Sequence, residues 1–312
     1  MGRRNKKGDP ISGWVNLNKP YGMTSTQAIG KVRRALNCQK IGHAGTLDPL
    51  ATGVLPIAIG EGTKTIPYVQ DEVKVYRFTV TWGESRDTDD MEGKVLETSE
   101  NRPTKEEIEN ILPKFLGEID QIPPLFSAIK VNGKRAYDMA RSGEIPDLKS
   151  RKVQIDELTL LEARNNEADF ELVCGKGTYV RSLARDMAEE LGTKGFVSAL
   201  RRDQVGPFHL DDAILLDNLT DIDYVAARSE CLLPLQAALD DIPALELKED
   251  EVTKIRNGQA LSFVSRLNFE RLTNAGLGDN DGTTVLATFN AEPVALVEKT
   301  KAEVKPVRVF NL

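Results

Sequence analysis

The sequence is short of the residues that build covalent and metal-held frameworks. It holds three cysteines, Cys38, Cys174 and Cys231, odd in number and scattered, and two histidines, His43 and His209. That set suggests neither a disulfide framework nor a paired-cysteine zinc site, and each thiol reads as a small buried apolar side chain. No apolar run approaches the length that spans a bilayer. The start, Met1-Gly2-Arg3-Arg4-Asn5-Lys6-Lys7, lacks the apolar segment of a secretory signal, and Lys6 stands where a myristoylation signal has Ser or Thr. The cytoplasm is the expected compartment. Two loops lack the residues their first impression needs. Around Gly175-Lys176-Gly177-Thr178, a phosphate-cradling loop would require glycine and a hydroxyl residue where Phe170 and Gly177 stand. The acidic stretch Gly83 to Gly93 has neither the Asp spacing nor the closing Glu of a calcium-binding EF-hand.

What is present describes a protein with a full-sized core. The 312 residues are 40% hydrophobic and 29% charged, enough for one large domain and a second, smaller one. The net charge is −7, but it is unevenly spread. Residues 1 to 43 carry nine Lys and Arg against one acid, Asp9, a local +8 that leaves −15 on the remainder. Contact with phosphates follows the local patch, so an acidic chain with a basic amino-terminal arm remains compatible with RNA.

The chain is organised around Gly42-His43-Ala44-Gly45-Thr46-Leu47-Asp48-Pro49-Leu50-Ala51-Thr52-Gly53. Ile41 and the run Val54 to Ile59 flank it with the β-branched character of strands. Pro49 disfavours helix at Asp48, and Gly42, Gly45 and Gly53 allow backbone geometry or close approach that a Cβ would forbid. A carboxylate is thereby aimed from a loop between rigid neighbours. Read alone, Asp48-Pro49 also serves as an ordinary turn.

Upstream, Gly13 to Pro20 reads as a short strand. Thr24 with Gln27 forms a capping-box start, and Ile29, Val32 and Leu36 recur at helical spacing through Asn37. Downstream, Lys74 to Trp82 alternates over nine residues, with Tyr76, Phe78, Val80 and Trp82 on one face. Pro103 to Leu112 has helix character, and Val153 to Leu161 and Ala168 to Cys174 read as strands. A helix with Val180, Leu183, Met187 and Leu191 inward stops at Gly192, with Arg181 and Arg185 four apart on one side. The segment Ile122 to Tyr137 mixes aromatics with Lys130, Lys134 and Arg135, a composition suited to phosphates and bases. Composition turns more acidic through Asp217 to Glu251, placing a boundary near Asp240. Beyond it, Ile255 to Leu261, Thr284 to Phe289 and Val294 to Val297 suggest a small β domain, with Asn268 to Asp281 as an extended loop.

His43-Ala44-Gly45-Thr46-Leu47-Asp48-Pro49-Leu50-Ala51-Thr52-Gly53-Val54-Leu55 closely resembles the catalytic motif of the TruB family of tRNA pseudouridine synthases, with Asp48 where that family has its nucleophile. Asn18-Lys19-Pro20-Tyr21-Gly22-Met23-Thr24-Ser25 resembles its first motif, in which Lys19 and Pro20 would support the catalytic loop. Cys174 to Asp186 and Ser198 to Phe208 resemble two further motifs. By this resemblance Arg181 pairs with the nucleophile, Tyr76 stacks on the target base and is a candidate for a proton step, Tyr179 contacts the base, Leu200 closes the uridine pocket, and His43 assists base flipping. Lys130 belongs to the family's Pro-x-x-Ser-Ala-x-Lys element, and by the resemblance both it and Lys19 are expected to bind substrate. In the family's Thr-Asp-Thr-x-Asp motif Arg86 replaces the first Thr, while Asp87, Thr88 and Asp90 match.

The resemblance covers residues 13 to 210 strongly and the remainder loosely. It implies an α+β pseudouridine synthase fold over 13–240, with a mixed, largely antiparallel central sheet and a mobile RNA-contacting segment at about 124–152. A basic flexible arm would span 1–12, and a small PUA-like β domain that binds RNA would span 241–312. The implied activity is isomerisation of uridine at position 55 in the T-loop of tRNA, by a monomer without cofactor or metal. A tRNA-folding role could accompany it. From the residues alone, two other classes stay open: an RNA-binding protein without turnover, and a glycoside hydrolase using two carboxylates such as Asp48 and Asp90.

Overall fold

Alternation of apolar and polar residues sets the central sheet, and capping residues set where its helices begin. The computed structural model describes residues 8–127, 129–131, 133–221, 223–277 and 281–312, so the basic residues 1–7 lie outside it. Strand β1 (Gly13–Lys19) leads into helix α1 (Ser25–Leu36), which opens on a complete capping box between Thr24 and Gln27. Such a cap is worth about 1 kcal/mol. The helix closes on Asn37 in the left-handed region, φ 47°. Its buried stripe is Ser25, Ala28, Val32 and Leu36; the expected Ile29 sits one residue off that stripe and is only half-buried. Next come β2 (Ile41–His43), β3 (Thr52–Ile59), α2 (Ile66–Asp71) and β4 (Lys74–Trp82). In β4 the even-numbered residues from Lys74 to Trp82 are buried, as the alternation predicts.

A hairpin, β5 (Glu84–Arg86) with β6 (Val95–Thr98), precedes α3 (Lys105–Ile111), which is capped by Thr104 and Glu107 in the same manner. Then follow β7 (Gly117–Gln121), the small pair β8 (Lys130–Val131) and β9 (Lys134–Arg135), α4 (Ala136–Arg141), β10 (Arg151–Ala163) and β11 (Glu167–Cys174). Helix α5 (Val180–Glu190) carries the chain to β12 (Gly195–Val205), β13 (Phe208–His209) and β14 (Ile214–Leu215). The main sheet has ten strands in the order β14-β1-β3-β12-β4-β11-β10-β7, with β2 on β3 and β13 on β12. Only β1 with β14 and β3 with β12 are parallel; the other pairs are antiparallel. This is the mixed, largely antiparallel sheet of the expected α+β class. Phe78 and Phe170 stack at 5.2 Å between ring centroids within its core, beside Leu17, Leu55, Val80 and Leu172.

The carboxy-terminal part forms a small sheet domain with its own core. Helices α6 (Leu216–Thr220) and α7 (Tyr224–Cys231) pack on α1, and a second, five-stranded sheet follows. Its strands are β15 (Ala244–Glu246), β16 (Leu261–Ser262), β17 (Thr284–Phe289), β18 (Glu292–Thr300) and β19 (Glu303–Val309), in the order β15-β17-β18-β19-β16. Two segments differ from the sequence reading. Of the residues expected to be β over Ile255 to Leu261, Ile255 and Arg256 end helix α8 (Glu249–Arg256), which buries the apolar Val252 and Ile255, while Leu261 opens β16. The loop expected from Asn268 to Asp281 contains helix α9 (Arg266–Asn274), capped by Ser265 and burying Leu272 alone. The second sheet is fastened to the first by Lys64, whose Nζ donates to the Val309 carbonyl at 2.7 Å, and by the Asn311 N–H on Glu61 at 2.8 Å.

The described end of the basic arm is also fastened. Asp9 donates its N–H to Asn37, accepts from the Asn37 side chain at 3.1 Å and pairs with Arg228. The flexible arm expected over residues 1–12 therefore does not extend through Asp9. Among the described residues no helix is long and apolar enough to cross a membrane.

Candidate active site

The turn between β2 and β3 is held by backbone contacts on every side. The Ser25 hydroxyl donates to the Leu47 carbonyl at 3.0 Å and accepts the Leu47 N–H at 2.9 Å. The Ala51 N–H donates to the Asp48 carbonyl at 3.1 Å, and the Gly22 N–H to Pro49 at 2.8 Å. Lys19, fully buried, lies under the loop and donates to the carbonyls of Pro20 (2.8 Å), Met23 (2.7 Å) and Pro49 (3.4 Å). It does not line the cleft described below, so a direct substrate contact is not where its side chain stands. At Gly53, φ is +98° and a Cβ would lie 2.2 Å from the Arg202 carbonyl oxygen. The parallel pairing of β3 and β12 thus demands glycine there.

Burial pushes the Lys19 ammonium down to about 8, against the opposing pull of Asp48. Because its folded value lies below the ordinary 10.5, the unfolded chain binds more protons between those two values. The contribution of this group to stability therefore rises with pH across that window, by up to about 3 kcal/mol. We expect the urea midpoint of the wild type to rise between pH 8 and pH 10 relative to that of Lys19→Met. A constant difference between the two would mean that Lys19 does not titrate there.

Asp48, one-third exposed, meets the nearly buried guanidinium of Arg181, with Oδ2 and Nε 2.9 Å apart. The Arg181 Nε–H is not aimed for a hydrogen bond, so the contact is an ion pair that leaves the carboxylate free to turn. The rest of the guanidinium is committed. Nη1 donates to the Thr88 carbonyl at 2.8 Å and approaches Asp90 at 3.6 Å, and Nη2 donates to the Phe126 carbonyl at 3.0 Å. One side chain from α5 therefore ties three separate segments around Asp48. Asp90 itself accepts from the Thr88 hydroxyl and from the Glu92 N–H, and burial holds its carboxyl above the ordinary range.

A cleft of about 610 Å³ opens beside this pair, lined by Asp48, Tyr76, Tyr179, Arg181 and Leu200. Tyr76 comes from β4 and Leu200 from β12, both nearly buried, and burial raises the Tyr76 phenol. Tyr179 is set by Gln121, which accepts its N–H at 2.8 Å and donates to its carbonyl at 3.1 Å. The Arg151 guanidinium lies over the Tyr179 ring at 4.8 Å. His43, half-buried on β2, is not among the residues lining this cleft, and burial lowers its imidazole so that it is neutral at pH 7. Lys130 lies on β8, but its side chain falls outside what the structure describes. Among the described residues no three His, Cys, Asp or Glu side chains are grouped to hold a metal ion.

Gln121, Ser127, Arg151 and Arg202 also belong to this neighbourhood and were not picked out by sequence reasoning. Arg202 had a visible signal, its place in the string Leu200-Arg201-Arg202, but not its inward direction. The substituted position in the acidic loop has a clear local use. Arg86 donates to the carbonyls of Met91 (3.0 Å) and Gly93 (3.3 Å), pairs with Glu84 at 2.9 Å and covers the Phe196 ring at 4.2 Å. It staples the loop whose other end delivers Thr88 and Asp90 to Arg181.

This mixed sheet, with an aspartate–arginine pair at the edge of its cleft, is the fold and site of a pseudouridine synthase, as the matches to known proteins show. The protein chain of an H/ACA RNP solved "bound to a substrate RNA containing 2'-deoxyuridine" shares the fold, with a TM-score of 0.71 at 23% identity over 100% of this chain and 92% of that one. Residues 33–180 match the family model of the TruB family pseudouridylate synthase N-terminal domain, and residues 181–240 that of the tRNA pseudouridylate synthase B C-terminal domain. Two relatives called tRNA pseudouridine synthase B align over 310 residues and 99% of both chains, one from Caulobacter sp. (strain K31) at 51% identity and one from Rhodospirillum rubrum at 48%. The chain belongs to the TruB family of pseudouridylate synthases. The join between its two family models falls at the first turn of α5, beside Arg181, so both contribute to one site.

Proposed function

We propose that this protein converts uridine to pseudouridine at position 55 in the T-loop of tRNA, using Asp48 as the reacting carboxylate and no cofactor or metal. The observation that carries the proposal is the Asp48–Arg181 pair at the edge of a cleft walled by Tyr76, Tyr179 and Leu200. The reaction breaks the bond from ring nitrogen N1 to the ribose and joins ring carbon C5 in its place. A proton leaves C5 and one is gained at N1, with no change in oxidation state. That asks for a nucleophile or charge stabiliser at the sugar–base junction, a pocket that retains the detached base, and a proton acceptor at C5. Asp48 supplies the first, and Arg181, paired with its carboxylate at 2.9 Å, orients it. Tyr179 and Leu200 hold the base, and Tyr76 accepts the proton. His43, neutral at the end of β2, supports the displaced RNA after the base has flipped out.

The same reading assigns residues 13–240 to catalysis, 241–312 to a PUA-like RNA-binding unit, and the segment at about 124–152 with Lys130 to RNA contact, in a cytoplasmic monomer. Basic side chains at the cleft, Lys74, Arg151, Lys152 and Lys176, suit the phosphates of a T-arm. The two-carboxylate hydrolase is disfavoured because Asp48 and Asp90 face one guanidinium and Asp90 is 3% exposed.

The test is incubation of an unmodified tRNA transcript with the protein, followed by mapping of pseudouridine. Product at position 55, lost when that uridine is replaced by cytidine, is the expected result. Tight binding without product at any position would leave RNA binding or RNA folding as the function.

A further inference from the structure

Arg202 is a buried cation without an acid. Its side chain is 1% exposed, yet among the described residues it forms no ion pair, whereas Arg181 meets two carboxylates. Removing a guanidinium from water costs several kcal/mol even after relaxation. Part of that cost is offset by carbonyl dipoles: Nε donates to Val54 at 2.8 Å and Nη2 to Gly45 at 3.0 Å. Gly45, at φ +111°, lets the group come close, since a Cβ there would stand 3.3 Å from Nη1. The charge of Arg202 bears on Lys19 on β1, His43 on β2, Lys74 and Tyr76 on β4 and Cys174 on β11, and Asp48 acts on the same Tyr76 phenol in the opposite sense. Arg202 is the cross-strand partner of Tyr76 in the β4–β12 ladder, its charge acts on the phenol, and both side chains line the same cleft.

We propose that Arg202 is the positioning residue for Tyr76, holding it beside the catalytic loop through Gly45 and supplying the positive charge that stabilises the phenolate formed ahead of the proton step. The inference rests on the reading of Tyr76 as proton acceptor. In that step the C5–H bond breaks, its electron pair restores the C5–C6 double bond, and the proton goes to the Tyr76 phenolate. The proton released earlier in forming that phenolate ends on N1 through solvent, so the isomerisation balances. Burial opposes the phenolate, and the guanidinium pulls the phenol back toward ionisation. A buried cation lacking an anion in the resting protein thus gains one only while the reaction runs.

The experiment measures single-turnover conversion of saturating tRNA transcript, with hydrogen or deuterium at C5 of the target uridine, against pH. Arg202→Gln is expected to lower the rate about a hundredfold, with tRNA affinity unchanged. Deuterium should slow that variant more than the wild type, and its rate should rise toward higher pH than the wild-type rate does. On a Tyr76→Phe background the same substitution should add less than about threefold. Losses that multiply in the double variant, or a loss confined to affinity, overturn the proposal. If the glutamine variant does not fold, Arg202→Lys keeps the charge and replaces it in the cycle, and a loss equal with and without the Tyr76 hydroxyl is again fatal. A wild type that binds tRNA and forms no pseudouridine instead removes the functional reading, and the role of Arg202 with it.

Discussion

Asp48→Asn is expected to bind tRNA as the wild type does and to form no measurable pseudouridine, a loss of at least about four orders of magnitude. The amide matches the carboxylate in size but cannot serve as an anionic nucleophile or stabilise a developing cation at the sugar. The loop should keep its shape because its anchors are backbone groups: Leu47 on Ser25, Pro49 on Gly22 and Lys19, and the Asp48 carbonyl on the Ala51 N–H. Arg181 retains its two carbonyl contacts and Asp90 after the change. Melting temperatures within a few degrees of each other, equal tRNA affinity and product from the wild type alone would separate chemistry from folding. Turnover by the asparagine variant above a thousandth of the wild-type rate would mean that Asp48 does not react.

Arg181→Met should damage folding and catalysis together. The methionine fills part of the volume but abandons Asp90, the Thr88 and Phe126 carbonyls, and Asp48. Removing one partner of a buried ion pair typically costs about 3–5 kcal/mol, which for a chain of this size lowers the melting temperature by roughly 10 °C. The pH dependence has a definite sign. Burial already raises the Asp90 carboxyl, and loss of the guanidinium raises it further. The folded variant then binds a proton that the unfolded chain has released, so its deficit relative to wild type grows as pH rises from the ordinary carboxylate range upward. Denaturant midpoints of both proteins across that range check this, and a deficit independent of pH would show that Asp90 stays ionised without its partner. Arg181→Lys should recover some stability but little activity, since an ammonium cannot span both acids and both carbonyls.

Local patterns were legible in the sequence where one short segment contained the whole cause. The nine-residue alternation of β4, the capping boxes and the glycine-punctuated turn around Asp48 each depend on neighbours in the chain. The family motifs added the residues that meet across it, among them Asp48 and Arg181. Arg202 escaped notice because the sequence shows only a pair of arginines; its direction follows from β12 lying between β3 and β4, a pairing of residues about 150 apart. Helices α8 and α9 were misread for a different reason. α9 buries a single apolar residue, Leu272, and α8 two, so neither displays the repeating stripe by which a helix is recognised. Both are held by packing on the second sheet and by local caps, and Arg271 adds a two-pronged contact to Glu251 across them.

The position of β12 also bears on how the chain matures as it leaves the ribosome. Its two neighbours, β3 and β4, are complete by Trp82, but the strand that joins them begins at Gly195, more than a hundred residues later. At ordinary elongation rates the nascent chain spends on the order of ten seconds with those two apolar strands facing an empty place. Open strand edges invite pairing with other chains, so a holding chaperone has its natural target in residues 52–82 during that interval. Leu200 and Arg202 arrive with the closing strand, and the cleft beside Asp48 gains that wall in the same event that seals the sheet.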